Sequence, residues 1–275
     1  MRVAAFLAFL SLLPQAQTGA SRQILAAVTD ARGRPVVDIG ADDFVIQESG
    51  VPRDILSARV ADYPVVLLLD TGPASRGEFP LLLRAAERFV ERLGHDRPMA
   101  VATFGDAPKM LTTFDDSRET LLARLGALTA GGDSSQLLRG ASLAASTLQA
   151  TGTLFSSIVI LSATPFDATT DTVEQTLGPI VDSGTIVHVV ANRQPGALAG
   201  RYDRTLRTLV EQTRGEFTPV YSAASYQAAL DRLVDRLGSE MLIEYLVPPG
   251  SKPLDAKIGI RLAGVRVRGL GVAPK

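Results

Sequence analysis

The chain has 275 residues, of which 46% are hydrophobic and 21% charged, proportions that exclude a disordered or fibrous protein and allow one or two buried cores. Its 28 basic and 29 acidic residues nearly balance, so the sequence offers no positive field for nucleic acid or an anionic membrane surface. The absence of cysteine excludes disulfides, a thiol nucleophile and a thiolate zinc site.

Residues 1–20 have the pattern of a secretory signal peptide. A positive charge at Arg2 precedes the apolar stretch 3–13, and small and polar residues follow up to Ala20. This pattern predicts cleavage before Ser21, with Ala16 as an alternative site. An uncleaved anchor is the other interpretation, but the apolar stretch is shorter than the roughly 20 residues that span a bilayer. We expect a periplasmic or extracellular protein without a transmembrane span.

Residues 21–62 are predicted to form β structure without a helix. Short apolar runs at 25–28 and 44–46 are bounded by turn-forming residues at 30–33 and 48–50. This segment is the predicted N-terminal part of a small β module.

From residue 63 to residue 240, apolar strand-length runs alternate with amphipathic helices. The runs lie at 65–69, 99–104, 158–161 and 186–190, and strands that are apolar on both faces belong to a sheet covered on both sides. Helices are predicted at 78–93, 117–125, 136–149 and 172–182, and two more are marked by apolar residues at helical spacing around Leu206 and Leu230. The pattern predicts an α/β domain with a doubly wound, mostly parallel sheet.

Residues 241–275 return to a strand pattern. Ile258 and Ile260 alternate with polar residues or glycine, as Val265 and Val267 alternate with arginines. Segments 21–62 and 241–275 are each too small to hold a core alone, so we expect them to pair into one β-sandwich-like module in which the α/β domain is an insertion. Two independent flaps lying on the α/β domain are the alternative.

The run 65–69, which ends in Asp70-Thr71 and is followed by an amphipathic helix, resembles the first strand of a von Willebrand factor type A domain. Residues 30–36 and 43–50 are similar to the β module that precedes this domain in exported bacterial proteins related to von Willebrand factor A. Residues 244–248 and 265–269 resemble the strand pair that follows it. The resemblance covers nearly the whole mature chain and implies the α/β fold with a small flanking all-β module.

The resemblance also implies a metal-ion-dependent adhesion site, from which this sequence departs at almost every position. The family pattern is Asp-x-Ser-x-Ser, a Thr in a later loop and an Asp after the following strand, all oxygen ligands that suit Mg²⁺. The sequence keeps the first Asp and has, at the remaining places in order, Gly72, Ala74, Gln136 or Ser135, and Ala163. We therefore expect no metal or other cofactor, and we interpret Asp70 as a cap on the following loop or helix.

Open α/β sheets bind ligands at the carboxyl edge of their strands. The candidate binding edge comprises Asp70, Thr71, Gly72, Ser135, Gln136, Ala163 and Thr164. A rewired Mg²⁺ or Mn²⁺ site is the alternative, with ligands drawn from Asp70, Ser75, Asp133, Ser134, Ser135 and Asp167. Turns and helix starts are enriched in Ser and Asp for capping reasons alone, which favours the metal-free interpretation.

Motifs for catalysis are incomplete. Residues 72–77 carry the two glycines of a phosphate loop, but Glu78 and Phe79 stand where Lys and Ser or Thr are needed. Residues 140–144 lack the second glycine of a nucleophile elbow and fall in a predicted helix. His188, in an apolar strand, is interpreted as a satisfied buried or edge histidine. We expect no enzyme, and an exported hydrolase is the less favoured alternative.

Two surface features of the sequence are candidates for a binding role. Arginines recur around one predicted helix and on the last strands, and we interpret them as scattered solvated charges: Arg201, Arg204, Arg207, Arg214, Arg261, Arg266 and Arg268. Residues 192–200 form either a contact loop or a loose connection. The sequence predicts an exported, non-enzymatic protein-binding or scaffolding protein with an unknown protein partner and no nucleic-acid partner.

Overall fold

The computed structural model describes residues 20–36, 38–94, 97–164, 173–193, 201–250 and 255–273. The strands are β1 (Ala20–Asp30), β2 (Phe44–Glu48), β3 (Val51–Arg53), β4 (Ile55–Val60), β5 (Val65–Asp70), β6 (Met99–Phe104), β7 (Lys109–Met110), β8 (Ser157–Ser162), β9 (Ile186–Asn192), β10 (Phe217–Val220), β11 (Glu240–Val247), β12 (Ala256–Ile260) and β13 (Val265–Ala273). The helices are α1 (Phe79–Arg92), α2 (Arg118–Gly126), α3 (Leu137–Gln149), α4 (Val173–Asp182), α5 (Arg201–Gln212) and α6 (Ser225–Gly238).

The central sheet has six strands in the order β10-β9-β8-β5-β6-β7. All neighbouring pairs are parallel except β6 and β7, so the predicted mostly parallel sheet is confirmed. The sequence patterns missed two of its strands. β7 has only two residues, and β10 contains Pro219, which is tolerated because β10 is an edge strand.

Alternate residues of β5 contribute to the two cores of the α/β unit. Val65, Leu67 and Leu69 pack in the core that is closed by α1, α2 and α6. Val66 and Leu68 pack in the core that is closed by α3, α4 and α5. Successive side chains of a strand point to opposite faces, so the continuous apolar run follows directly from a sheet that is covered on both sides.

The N- and C-terminal segments pair with each other. β1 lies between β11 and β13, and β11 also pairs with β4, which gives an antiparallel sheet in the order β13-β1-β11-β4. A second sheet, β12-β2-β3, packs against it over a core that contains Ile24, Phe44 and Ile243. The predicted pairing is therefore confirmed, and the alternative of two independent flaps is wrong.

The four-stranded sheet also packs on the α/β unit. Leu25 and Ala27 of β1 join the core that holds α1 and α6, whereas Ile24 and Ala26 join the core of the β unit. The chain enters the α/β unit after β4 and re-enters the β unit at β11, as expected for an insertion. The domain boundaries at 62/63 and 240/241 stay a prediction.

Some details of the fold differ from the sequence expectations or fall outside the described residues. A short 3₁₀ helix at Ala41–Asp43 lies in the segment that was predicted to contain no helix. Its start is held by Asp43, whose carboxylate accepts a hydrogen bond from the backbone N–H of Gly40 at 2.9 Å. The predicted signal peptide lies almost wholly outside the described residues. Within the described ranges, no helix combines the length and apolar character needed to cross a membrane.

Candidate functional site

Asp70, the last residue of β5, holds three loops together at the carboxyl edge of the sheet. Its side chain is 0% exposed. Oδ1 accepts hydrogen bonds from the backbone N–H of Gly72 at 2.9 Å and from the hydroxyl of Ser135 at 3.1 Å. Oδ2 accepts from the backbone N–H groups of Ala163 and Thr164 at 3.0 and 2.8 Å. The interpretation as a cap accounts for the bond from Gly72; the other three bonds join the loop before α3 and the end of β8 to β5.

The hydroxyl of Ser135 occupies the space next to Gly72. Thr164 Oγ1 donates to Ser135 Oγ at 2.8 Å and fixes its position. A Cβ atom at position 72 would lie 1.8 Å from Ser135 Oγ and 2.9 Å from the backbone oxygen of Ser134, closer than van der Waals contact allows. Glycine at this position therefore lets the loop before α3 reach Asp70.

The Asp70 carboxylate is fully used by these contacts. An ionised carboxylate has about four lone-pair sites, and four donors from the protein occupy them. A divalent cation such as Mg²⁺ needs oxygen atoms with lone pairs directed at the metal. Among the described residues, no group of three or more His, Cys, Asp or Glu side chains is placed to hold a metal ion.

A second carboxylate, Asp106, organises the neighbouring loop and was missed by the sequence analysis. Its Oδ1 accepts from the backbone N–H of Asp133 at 2.9 Å and from the backbone N–H and the hydroxyl of Ser134 at 2.7 and 2.9 Å. These hydrogen bonds, led by the one from Asp133, lower the pKa of Asp106. The signal was present in the sequence, since Asp106 closely follows the apolar run at 99–104 at the same sheet edge.

The structure brings together only part of the residue set predicted for the edge. Asp70, Gly72, Ser135, Ala163 and Thr164 form one hydrogen-bonded cluster, which we call the Asp70 cluster. Two edge residues bond elsewhere, because Thr71 Oγ1 donates to the backbone oxygen of Phe104 at 3.2 Å and Gln136 Nε2 donates to that of Asp106 at 2.5 Å.

Two of the alternative cation ligands, Ser75 and Ser134, make their side-chain hydrogen bonds away from Asp70. Ser75 donates its hydroxyl hydrogen to the backbone oxygen of Gly72 at 2.8 Å. The Ser134 hydroxyl donates to Asp106 at 2.9 Å, the backbone N–H of Asp133 does the same, and Asp167 lies outside the described residues. Among the described members of this set, only Ser135 is hydrogen-bonded to the Asp70 carboxylate.

His188 is buried, but it is not satisfied. It is 1% exposed, and neither ring nitrogen has a hydrogen-bond partner among the described residues. Burial, together with the charges of Arg236 and Arg268, lowers its pKa from 6.5 to about 3, so the imidazole is neutral at physiological pH. The expected burial of His188 is confirmed, whereas the hydrogen-bond partner that the sequence analysis expected is not found among the described residues.

Several of the arginines interpreted as solvated have specific positions. Arg214 lies beyond the end of α5 and donates to the backbone oxygen of Leu270 at 2.7 Å. Arg207 lies over the ring of Phe217, 4.4 Å from its centroid. Of the loop 192–200, only Asn192 and Arg193 are described.

Residues 65–164 match the family described as von Willebrand factor type A domain. The fold is similar to a von Willebrand factor type A protein from Catenulispora acidiphila, with a TM-score of 0.52, 12% identity, and coverage of 94% of this chain and 74% of that one. It is also similar to proximal thread matrix protein 1 from the mussel byssus, in a structure described as having a zinc-occupied MIDAS motif, with a TM-score of 0.55, 14% identity, and coverage of 73% of this chain and 50% of that one. No curated protein matches the chain.

These findings support a domain of the von Willebrand A type in this chain, and the predicted fold class is confirmed. At identities of 12–14% the structural similarity concerns the fold alone. The chain spans about half the length of the mussel protein that it resembles. Domains of this type are generally modules for protein interaction or adhesion.

Proposed function

We propose that the chain is an exported, non-enzymatic protein-binding or scaffolding protein whose von Willebrand A-type domain works without a metal ion. The class of the domain supports a role in protein interaction. The observation that carries the metal-free part is the saturation of the Asp70 carboxylate by four protein donors. In this proposal, the protein's own hydroxyl and N–H groups hold the loops around Asp70 together, as a cation does in a metal-dependent site.

We place the partner surface on the exposed rim around the Asp70 cluster. The side chains of Asp70, Ser135 and Thr164 are buried, so they shape the edge without touching a partner. The rim presents Arg76, Asp106 and Asp133, all of them exposed. Arg76 donates to the backbone oxygen of Gly132 at 3.1 Å, which ties the loop after β5 to the loop that Asp106 organises.

Metal titration tests the metal-free part of the proposal. Mg²⁺, Mn²⁺ and Zn²⁺ are added to the mature chain in a calorimeter, with Zn²⁺ included because one structural relative is described with zinc. We expect neither heat of binding nor a rise in melting temperature. Micromolar binding that is lost in Asp70→Ala and kept in Asp106→Ala would contradict the proposal and support the rewired Mg²⁺ or Mn²⁺ module.

Site-directed crosslinking tests the partner surface. Because the chain has no cysteine, Ala74→Cys places a single photo-crosslinker on the exposed carboxyl edge. Gln149→Cys, exposed at the far end of α3, is the matched control, about 20 Å away along a 13-residue helix. We expect an adduct with a protein from the same compartment at position 74 only, unchanged by a chelator. Adducts at position 149 alone would refute the proposed surface.

Export is proposed from the pattern of the first 20 residues. Cleavage before Ser21 retains Arg22, which is buried and forms an ion pair with Glu48, itself in contact with Arg53 at 3.2 Å. A processed chain that began after Arg22 would leave the Glu48 carboxylate short of one partner. Intact mass spectrometry of the exported protein should give an N-terminus at Ser21. An unprocessed chain in the membrane fraction would instead support the uncleaved anchor.

A further inference from the structure

A cleft of about 610 Å³ lies between the α/β unit and the β unit, away from the Asp70 cluster. Its walls come from β9, β10 and α6 on one side and from β1, β13 and the turn after β1 on the other. Small-molecule sites in proteins have volumes of about 300–1,000 Å³. The cleft therefore has the size of a site for one small organic molecule.

Arginines dominate the charge of the cleft. Arg232 and Arg236 lie four positions apart on α6, and Arg266 and Arg268 lie two positions apart on β13. These spacings place each pair on one face of its element, which is why arginines that look scattered in the sequence meet in one place. A fifth, Arg34, lies on the turn after β1.

The carboxylates of the cleft do not balance these arginines. Glu216 forms an ion pair with Arg236. Asp235 forms an ion pair at 2.8 Å with Arg92, which does not line the cleft. Within the described residues, no ion pair is found for Arg232, Arg266 or Arg268. Burial, together with the nearby charge of Arg236, lowers the pKa of Arg268. The cleft thus carries an excess of positive charge.

Buried polar groups in the cleft wall lack partners among the described residues. His188 lines the cleft, is 1% exposed and makes no hydrogen bond through either ring nitrogen. Nη2 of Arg236 is also buried without a partner. The great majority of buried polar groups in proteins are hydrogen-bonded, and each exception needs an explanation. An anionic ligand in the cleft would supply acceptor oxygens for Nη2 of Arg236 and for the N–H of the neutral imidazole.

Apolar residues complete the lining. Ala27 and Val190 come from the two facing sheets, and Ala229 and Leu233 come from α6. Sites for organic ligands combine an apolar wall with a few polar groups that fix orientation. Guanidinium groups match carboxylate and phosphate oxygens in a two-pronged geometry. We propose that this cleft binds a small organic anion, with its carboxylate or phosphate group on Arg232, Arg266 and Arg268 and its apolar body against α6 and β9.

The test uses four probes on the mature chain: octanoate, octyl phosphate, octanol and inorganic phosphate. Calorimetry should detect octanoate or octyl phosphate, and the tighter of the two identifies the head group. Octanol lacks the charge and inorganic phosphate lacks the apolar body, so both should bind about tenfold more weakly or not at all. Inorganic phosphate that binds as tightly as octyl phosphate would overturn the assignment of an organic anion, as would the failure of both anionic amphiphiles to bind.

Variants locate the binding in the cleft. Arg266→Gln combined with Arg268→Gln should weaken binding of the better probe by about tenfold or more, because two charged donors are lost. Arg84→Gln, an exposed arginine on α1 outside the cleft lining, is the matched control and should change nothing. Equal binding by all three proteins would overturn the proposal.

A further measurement leaves all cleft residues unsubstituted, so its result does not depend on whether the arginine variants fold. The chain has two histidines, so the ring signals of His188 can be followed alone by NMR in His95→Gln. The better probe should shift these signals in proportion to its occupancy. Binding that leaves the His188 signals unchanged would place the ligand elsewhere and refute the site, without bearing on the protein-binding function proposed for the sheet edge.

Discussion

The hydroxyl of Tyr63 donates a hydrogen bond to Oε2 of Glu240, so the segment that enters the α/β unit is joined to the segment that leaves it. Arg97 lies over the Tyr63 ring, 4.8 Å from its centroid, and donates to the backbone oxygens of Ala61 and Leu237. Burial and the charge of Glu240 raise the pKa of Tyr63 well above its ordinary value, so the hydroxyl stays protonated as a donor. This cluster fixes the junction between the α/β unit and the β unit.

Removing the Tyr63 hydroxyl tests that junction. Tyr63→Phe keeps the ring under Arg97 but leaves the buried carboxyl of Glu240 without its donor, which should lower the free energy of unfolding by about 1–3 kcal/mol. Urea unfolding measures the loss. Tyr221→Phe is the matched control, since Tyr221 is 57% exposed and its change should leave stability the same. Equal midpoints for the two variants would contradict the role of this hydrogen bond.

Local sequence patterns were sufficient to predict the layers of the fold. The apolar run of β5 predicted a doubly covered sheet because each of its residues faces one of two cores. The apolar spacing of α6, from Tyr226 to Leu237, predicted the helix face that is buried. Both patterns report burial, which repeats with the period of the backbone and can therefore be read from neighbouring residues.

The site depended on contacts that no local pattern reports. Asp70 and Ser135 are 65 positions apart, and their hydrogen bond follows from the course of two loops. The same is true of His188 and the cleft arginines, which belong to different strands and a helix. Family resemblance pointed to Asp70 as the position of interest, but only the structure gave the donors that surround it.

The Asp70 cluster should contribute strongly to stability. Asp70→Asn replaces one acceptor oxygen by an NH₂ group, which would face a buried donor instead of accepting from it. We expect the free energy of unfolding to fall by about 2–4 kcal/mol, with or without a chelator. The matched control is Asp106→Asn, since Asp106 is an exposed carboxylate that also accepts loop N–H bonds. The free energy of unfolding should fall less in this variant than in Asp70→Asn. A stability loss for Asp70→Asn that appears only when Mg²⁺ is present would instead indicate a metal ligand.

A double-mutant cycle tests whether Ser135 fills the space at Gly72. Gly72→Ala alone should be destabilising, because the new Cβ meets Ser135 Oγ. In the Ser135→Ala background the same change should cost less, with a coupling free energy of about 0.5–3 kcal/mol. The cost should not vanish, since the backbone oxygen of Ser134 lies 2.9 Å from the same Cβ position.

Unfolding curves of the four proteins measure the coupling. Gly77→Ala serves as a control for the general effect of replacing glycine in this loop, because a Cβ at Gly77 would contact nothing within 4 Å. Additive effects of Gly72→Ala and Ser135→Ala would show that the two side-chain positions do not compete for space.

His188 should make the protein lose stability as the pH falls. Its pKa is lowered to about 3 in the folded protein against 6.5 as the ordinary value, so between these values the unfolded chain binds more protons than the folded one. The free energy of unfolding therefore rises with pH in this window. Going from pH 7 towards pH 4, the contribution of His188 is lost progressively, and its full size is on the order of a few kcal/mol.

Replacing the histidine isolates this contribution from the charges around it. Arg34, Arg232, Arg236, Arg266 and Arg268 face the cleft with Glu216 and Asp235, and they remain in His188→Leu. Burial raises the pKa of Glu240, so this carboxyl acts in the opposite direction, losing stability as the pH rises through its titration. The difference between wild type and His188→Leu largely removes that term because Glu240 is present in both proteins.

We expect His188→Leu to be at least as stable as the wild type at pH 7, since two unsatisfied nitrogens are replaced by an apolar side chain of similar volume. Between pH 7 and pH 4 its free energy of unfolding should fall less steeply than that of the wild type, as measured by urea titrations at each pH. Parallel curves for wild type and His188→Leu would mean that His188 has the same pKa in the folded and the unfolded chain, and would contradict the prediction.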